Sequence, residues 1–203
     1  EIRSNAITID DLFGVSVTGG DVLIVGSRGA VFIDVAGQVD PYAKGVTEDL
    51  RAIVAFSRTS AWAVGAAGIV YRLDDRGWST VAAPTTAALN AIAATTAADA
   101  VAVGDAGTVI RYDGGWKTVA SGVDVALRDV VVAPQLWIAG DHGTLLTGTL
   151  GSLQPVDLRT TCDLVSVFTT QTSGDVWVLG RSAGAGAIWR LHNGAVAQKW
   201  GGC

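Results

Sequence analysis

An all-β, five-bladed β-propeller with four antiparallel strands per blade is the fold this sequence predicts, and three recurring features predict it. The first is a Leu followed three residues later by Val or Ile, at Leu12/Val15, Leu50/Ile53, Leu89/Ile92, Leu127/Val130 and Leu164/Val167, spaced by 38, 39, 38 and 37 residues. The second is a strand running into a Gly-bounded turn: "VLIVGSRG", "AWAVGAAG", "AVAVGDAG", "LWIAGDHG" and "VWVLGRSAGAG". The third is an alternating segment, "AVFID", "IVYRL", "TVIRY", "TLLTG" and "AIWRL", whose period of two belongs to a half-buried strand. Self-similarity at a fixed period marks a repeat architecture.

Each copy reads as an inner strand on the Leu landmark, a strand entering the Gly turn, one leaving it, and a last strand such as "GWSTVAA" or "GWKTVAS". One such sheet cannot cover both of its faces, and radial stacking covers them while leaving only short edges. The blades are expected at 12–49, 50–88, 89–126, 127–163 and 164–203 of a single domain. Residues 1–11 form a ring-closing or flanking strand. Either "NAITID" at 5–10 or "GAVAQKW" at 194–200 supplies the closing strand, and the sequence leaves both open.

Composition narrows the function classes. A net charge of -5 argues against nucleic acid, whose backbone calls for a basic stripe. No apolar run approaches the roughly 20 residues of a spanning helix. The chain starts at Glu1 without Met, as expected of a mature product or an excised domain. Arg outnumbers Lys 11 to 3, a bias of GC-rich bacterial genomes.

Cys162 precedes the inner strand of blade five and Cys203 ends the chain. In a four-stranded blade the end of strand four and the start of strand one lie on the same side, so a disulfide between them is expected. Such a bridge implies an oxidising compartment. The same logic makes Trp62, Trp137 and Trp177 packing residues, since they share one repeat position with Leu23 and Val101.

The turns between strands two and three share a face with the connections between blades. That face is expected to display Ser27, Arg28, Ala66, Ala67, Asp105, Asp141 and His142, together with a longer turn that begins with Arg181 and Ser182. Insertions in repeat proteins often mark binding faces, and accommodation of the ring closure is the equal alternative for this one. The residue before each Leu landmark is Asp11, Asp49, Ala88, Ala126 or Asp163, so three carboxylates are expected at the channel mouth, with Asp129 slightly deeper. Paired carboxylates serve glycosidases, yet blades this short leave little loop for a sugar cleft, and rim carboxylates that cap turns are the expectation. His142 and His192 lack metal-ligand spacing and acidic partners, so no metal site and no nucleophile system is expected. "GAGA" at 184–187 has no helix after it to hold a phosphate. No cofactor is expected. Arg72, Arg111 and Arg190 recur on strand three and are expected to pair with acids of neighbouring blades.

At "SAWAVGAAGIVYRLDDRGW" and "DAVAVGDAGTVIRYDGGW" the chain resembles the short-blade propeller repeats of secreted bacterial proteins, which are related to Asp-box repeats and to the photosystem II assembly-factor family. Blade one, with "DVAGQV", and blade four, with "TGTLGSL", depart from the pattern, and the Asp-box Ser/Thr is missing in every copy. Members range from sialidases to scaffolds, so the resemblance implies a fold and export, not an activity. The expected function is a non-enzymatic binding or structural propeller, periplasmic, cell-surface or extracellular, that contacts a protein partner or larger assembly. The positive mean hydropathy fits an interface. A lectin-like module stacking glycans on Tyr71, Trp78 or Trp116 is the alternative, and a glycosidase using Asp11, Asp49 and Asp163 the third reading.

Overall fold

The computed structural model describes residues 11–35, 37–42, 45–132, 135–170 and 173–203. Alternation of apolar and polar residues, cut at each turn by Gly, gives five sheets of four antiparallel strands, each a simple meander. Blade one holds β1 (Leu12–Thr18), β2 (Asp21–Gly26), β3 (Val31–Val35) and β4 (Gln38–Pro41). Blade two holds β5 (Leu50–Ser57), β6 (Ser60–Gly65), β7 (Val70–Asp74) and β8 (Gly77–Val81). Blade three holds β9 (Leu89–Thr96), β10 (Asp99–Gly104), β11 (Val109–Tyr112) and β12 (Trp116–Val119). Blade four holds β13 (Leu127–Val132), β14 (Leu136–Gly140), β15 (Leu145–Thr149) and β16 (Ser152–Pro155). Blade five holds β17 (Asp163–Thr169), β18 (Val176–Ser182), β19 (Ala185–His192) and β20 (Ala195–Gly201). The five-bladed propeller read from the sequence is therefore the architecture, with the landmark Leu opening or nearly opening each inner strand.

The core is divided among the blade interfaces. One apolar cluster joins Leu23, Val25 and Val31 of blade one to Leu50, Ile53 and Tyr71 of blade two. A second joins Trp62 and Val70 to Leu89, Ile92 and Ile110. A third joins Val103 and Val109 to Leu127 and Val130, and a fourth joins Trp137 and Leu145 to Leu164, Val167 and Trp189. The landmark Leu and Val/Ile face backward, onto the preceding blade, which is why blades two to five bury them at 0–9% exposure.

The forward face follows the same register. Val25/Val31, Val64/Val70, Val103/Val109 and Ala139/Leu145 are cross-strand pairs at one repeat position, and none is more than 2% exposed. The corresponding pair of blade five, Leu179/Ile188, is 41% and 39% exposed. On blade one Leu12 and Val15 are 44% and 64% exposed. The inner strands pack in the series β1, β5, β9, β13, β17, and among the described residues β17 makes no substantial contact with β1.

One expectation thus needs correction, and one open alternative is decided for blade five. Stacking of five blades covers the faces between consecutive blades but leaves the backward face of blade one and the forward face of blade five without each other. The fourth strand of blade five comes from the C-terminal tail, as β20, and "NAITID" lies outside the described residues. The disulfide forms as expected between Cys162 and Cys203, with the Cα atoms 5.8 Å apart. No helix among the described residues is long and apolar enough to cross a membrane.

Candidate functional site

The turn face is built the same way four times. After the glycine that ends strand two, the next N–H donates to the carbonyl just ahead of the landmark Leu: Ser27 to Asp11 at 2.8 Å, Ala66 to Asp49 at 2.8 Å, Asp105 to Ala88 at 2.9 Å and Asp141 to Ala126 at 2.9 Å. That close approach explains the glycine, since a Cβ on Gly65 would sit 1.8 Å from the Asp49 carbonyl oxygen. The following residue, Arg28, Ala67, Ala106 or His142, is left-handed at φ 52–54°. That conformation costs a non-glycine residue roughly 1–2 kcal/mol.

In two blades a carboxylate of the next blade holds that strained residue. Asp49 accepts from the Arg28 N–H at 2.9 Å, and Asp163 accepts from the His142 N–H at 3.1 Å. Asp11 contributes its main chain, donating to Ser27 Oγ at 3.0 Å. Asp49 and Asp163, two of the three carboxylates expected at the channel mouth, are thus turn anchors, each directed at its own turn. The turns also reach the connections between blades, through Gly107 N–H to Val125 O and Gly143 N–H to Cys162 O, both at 2.7 Å.

The residue after the landmark Leu completes the site, and the sequence reading missed it. A bulge at this point of each inner strand re-aims the side chain. The position reads Phe13, Arg51, Asn90, Arg128 and Val165. Arg51 Nη1 donates to Asn90 Oδ1 of the next blade at 2.5 Å. Asn90 Nδ2 donates to Asp105 Oδ1 at 2.8 Å and to the Leu127 carbonyl at 2.9 Å. Arg128 grips Asp141 with two bonds, Nε to Oδ1 at 2.7 Å and Nη2 to Oδ2 at 2.5 Å. The Arg128 bond holds the Asp141 carboxyl below its ordinary range, and burial opposes it. Arg128 is raised in turn, first by its bond to Asp141 and further by the charges of Asp105 and Asp163. The Arg128 guanidinium, which sequence reading passed over, thus pairs with Asp141 and feels the charges of Asp105 and Asp163, although three polar residues at one repeat position were a visible signal.

The insertion is not a loop. Its residues pair as Arg181 with Gly186 and Ser182 with Ala185, lengthening the β18–β19 hairpin around a two-residue turn at Ala183 and Gly184. Arg181 and Ser182 are exposed on it. An open groove of about 660 Å³ lies beside the blade-three turn, between Ala106, Gly107, Thr85, Ser121 and Val123.

Asp129 is deeper, as expected, and bridges blades four and five by accepting from Ser166 Oγ at 2.8 Å and Val167 N–H at 2.9 Å. Burial raises its carboxyl above the ordinary value near 3.8, and the hydrogen bonds oppose this. A raised folded-state value means the group's stabilising contribution is full below about pH 4 and is lost as pH rises through that folded value. Asp129→Asn is expected to flatten the stability-against-pH curve in that window, measured by denaturant melts at stepped pH.

Other expectations shift. Arg111 and Arg190 pair with acids of their own blades, Asp99 at 3.1 Å and Asp175 at 3.0 Å, because the strand-one to strand-two turn places an Asp beside strand three. Arg72 lies over the Trp62 ring, 5.0 Å from its centroid. His192 does have an acidic partner: its Nδ1 meets Asp175 Oδ1 at 2.8 Å, at the end of blade five opposite the turn face, and this bond keeps Asp175 below its ordinary range. Tyr71 and Trp116 are buried, and half-buried Trp78 stacks on Tyr71 with 5.0 Å between centroids. Among the described residues no group of three His, Cys, Asp or Glu is placed to hold a metal.

No known sequence family matches this chain, and no curated protein does. Solved structures do. The chain is similar to a structure described as YCF48 bound to D1 peptide, with a TM-score of 0.72 and 16% identity over 95% of this chain and 69% of that one. It is similar to the Cps50 (Swd1) β-propeller domain of Myceliophteria thermophila, with a TM-score of 0.69 and 11% identity over 93% of this chain and 72% of that one. The computationally designed Ika8 protein gives 0.72 and 13% identity over 93% of this chain and 61% of that one. At these identities the likeness is one of fold, and the fold is the β-propeller.

Proposed function

We propose that this chain is a non-enzymatic, protein-binding propeller of an exported bacterial protein, and that it takes a polar, extended segment of its partner across the turn face. The observation that carries the reading is the rim of Arg51, Asn90 and Arg128, held in place by Asp105 and Asp141 next to the exposed tips Arg28, His142 and Arg181. Arg and Asp alternate there, so the field is mixed. Such a rim suits the donors and acceptors of a peptide main chain better than a polyphosphate. That YCF48 has been seen with a peptide on a similar propeller supports the reading. The disulfide supports an oxidising compartment, and with it a periplasmic, cell-surface or extracellular place in an envelope assembly.

The test is a pull-down from a native envelope extract with the wild-type chain and an Arg51→Ala/Asn90→Ala/Arg128→Ala variant. Half-exposed ion pairs contribute about 1 kcal/mol or less, so the variant stays folded. A protein retained in stoichiometric amount by the wild type and lost by the variant is the expected outcome. Equal retention by both, or retention of polysaccharide alone, overturns the reading, the latter in favour of a lectin.

A further inference from the structure

We propose that the forward face of blade five, with the inner strand of blade one, is a seat for two or three further blades of this same repeat, carried by polypeptide outside these 203 residues. The proposal is independent of the peptide-binding reading. Large exposed apolar side chains among the described residues are confined to the two end blades: Leu12, Phe13, Val15 and Val17 on one, and Phe168, Leu179, Ile188, Val196 and Trp200 on the other. Among the described residues four apolar clusters join five blades, whereas a closed ring of five has five interfaces.

What covers these positions elsewhere in the molecule identifies the occupant. At each of the four internal interfaces the forward pair equivalent to Leu179/Ile188 is covered by the next blade, whose inner strand brings a Leu and a Val or Ile. The forward face of blade five has the matching receptacle, an apolar hollow of about 340 Å³ lined by Val165, Leu179, Ile188 and Trp200. Blade one offers the complement, since Leu12 and Val15 are the landmark side chains with no blade behind them. A terminal repeat meant for water carries a polar outer face, whereas Leu12 and Val15 at one end and Leu179, Ile188 and Trp200 at the other are apolar and exposed.

The size of the gap follows from the similar structures. The matched portion fills 69%, 72% and 61% of the three chains, so five blades at that share leave room for about two to three more, within the usual range for propellers. A second copy of this chain brings five blades and does not fit such a gap. Added head to tail without closure it continues into an open assembly.

Two measurements test the seat. In the 203-residue chain, Leu179→Lys/Ile188→Lys is expected to leave Tm within about 2 °C of the wild type, while Val103→Lys/Val109→Lys, at the same register inside the molecule, unfolds it. In a chain extended at its C-terminus by a copy of residues 50–126, the expected result is a monomer with Tm raised on the order of 10 °C. In that background Leu179→Lys/Ile188→Lys removes the gain. The proposal is overturned if the lysine pair unfolds the 203-residue chain, because the face is then already covered. It is also overturned if the extended chain folds without a rise in Tm, or if sedimentation shows a dimer of the 203-residue chain that the lysine pair dissolves. The substitution on the unextended chain reads out even if the extension does not fold.

Discussion

Reduction of the Cys162–Cys203 disulfide lowers the stability of the folded chain by about 4 kcal/mol, and the melting temperature by on the order of 10 °C. The bridge closes a loop of 41 residues, and the entropy it removes from the unfolded chain gives that magnitude. The local effect is sharper than the global one. Every residue of β20 is exposed, and among the described residues β20 pairs only with β19, so its attachment rests on one ladder and the bridge. Cys162 is buried against the fourth core cluster and anchors the other end. Hydrogen exchange is expected to show the amides of residues 195–201 losing protection on reduction before any inner strand does. Uniform loss across all five blades, or none in β20, contradicts this assignment. Mass analysis of the untreated protein, lighter by two hydrogens than the reduced form, establishes the bridge itself.

Replacing Trp62 by Ala costs about 4 kcal/mol, whereas the same replacement at Trp177 costs about 1 kcal/mol. The two occupy one register position, opposite Arg72 and Arg190. Trp62 is fully buried and meets Trp116 edge-on at 5.5 Å. Its indole N–H donates to the Ala97 carbonyl of blade three at 3.0 Å, so truncation opens a cavity and strips an acceptor at the interface of blades two and three. Trp177 faces forward from blade five, on the face that no described blade covers, and its ring stacks on Trp200 at 5.8 Å. Urea unfolding of both variants measures the contrast. Equal losses mean that Trp177 is as covered as Trp62, which the exposure of Leu179 and Ile188 beside it does not allow.

The fold was legible because its punctuation is covalent and local. In blades one to four a Gly is required because a Cβ at the end of strand two would fall within 3 Å of a carbonyl oxygen, and a Leu is required wherever an inner strand meets the preceding blade, so both recur at the blade period. The rim was legible only in part. Asp105, Asp141 and Asp163 stand out as charges, yet Arg128, which binds Asp141 and feels the other two, lies in a bulge, where simple alternation misplaces the side chain. Asp49 and Asp163 look like a catalytic set in sequence because the backbone N–H groups they hold carry no letter of their own. The open end faces were the least legible feature. Leu12 and Leu164 belong to the same pattern and differ from 44% to 0% exposure, because burial of a repeat position depends on whether another blade stands behind it.

Crosslinking from the turn face tests the central claim most directly. A photoreactive side chain at His142, exposed at a turn tip, is compared with one at Asn193, exposed at the opposite end of blade five, in the native envelope. The account predicts one discrete protein adduct from position 142 and none from 193, lost when Arg51 and Arg128 are replaced by Ala. Adducts from position 193 alone, or from neither position while the protein sediments as part of a larger assembly, contradict a partner held at the turn face.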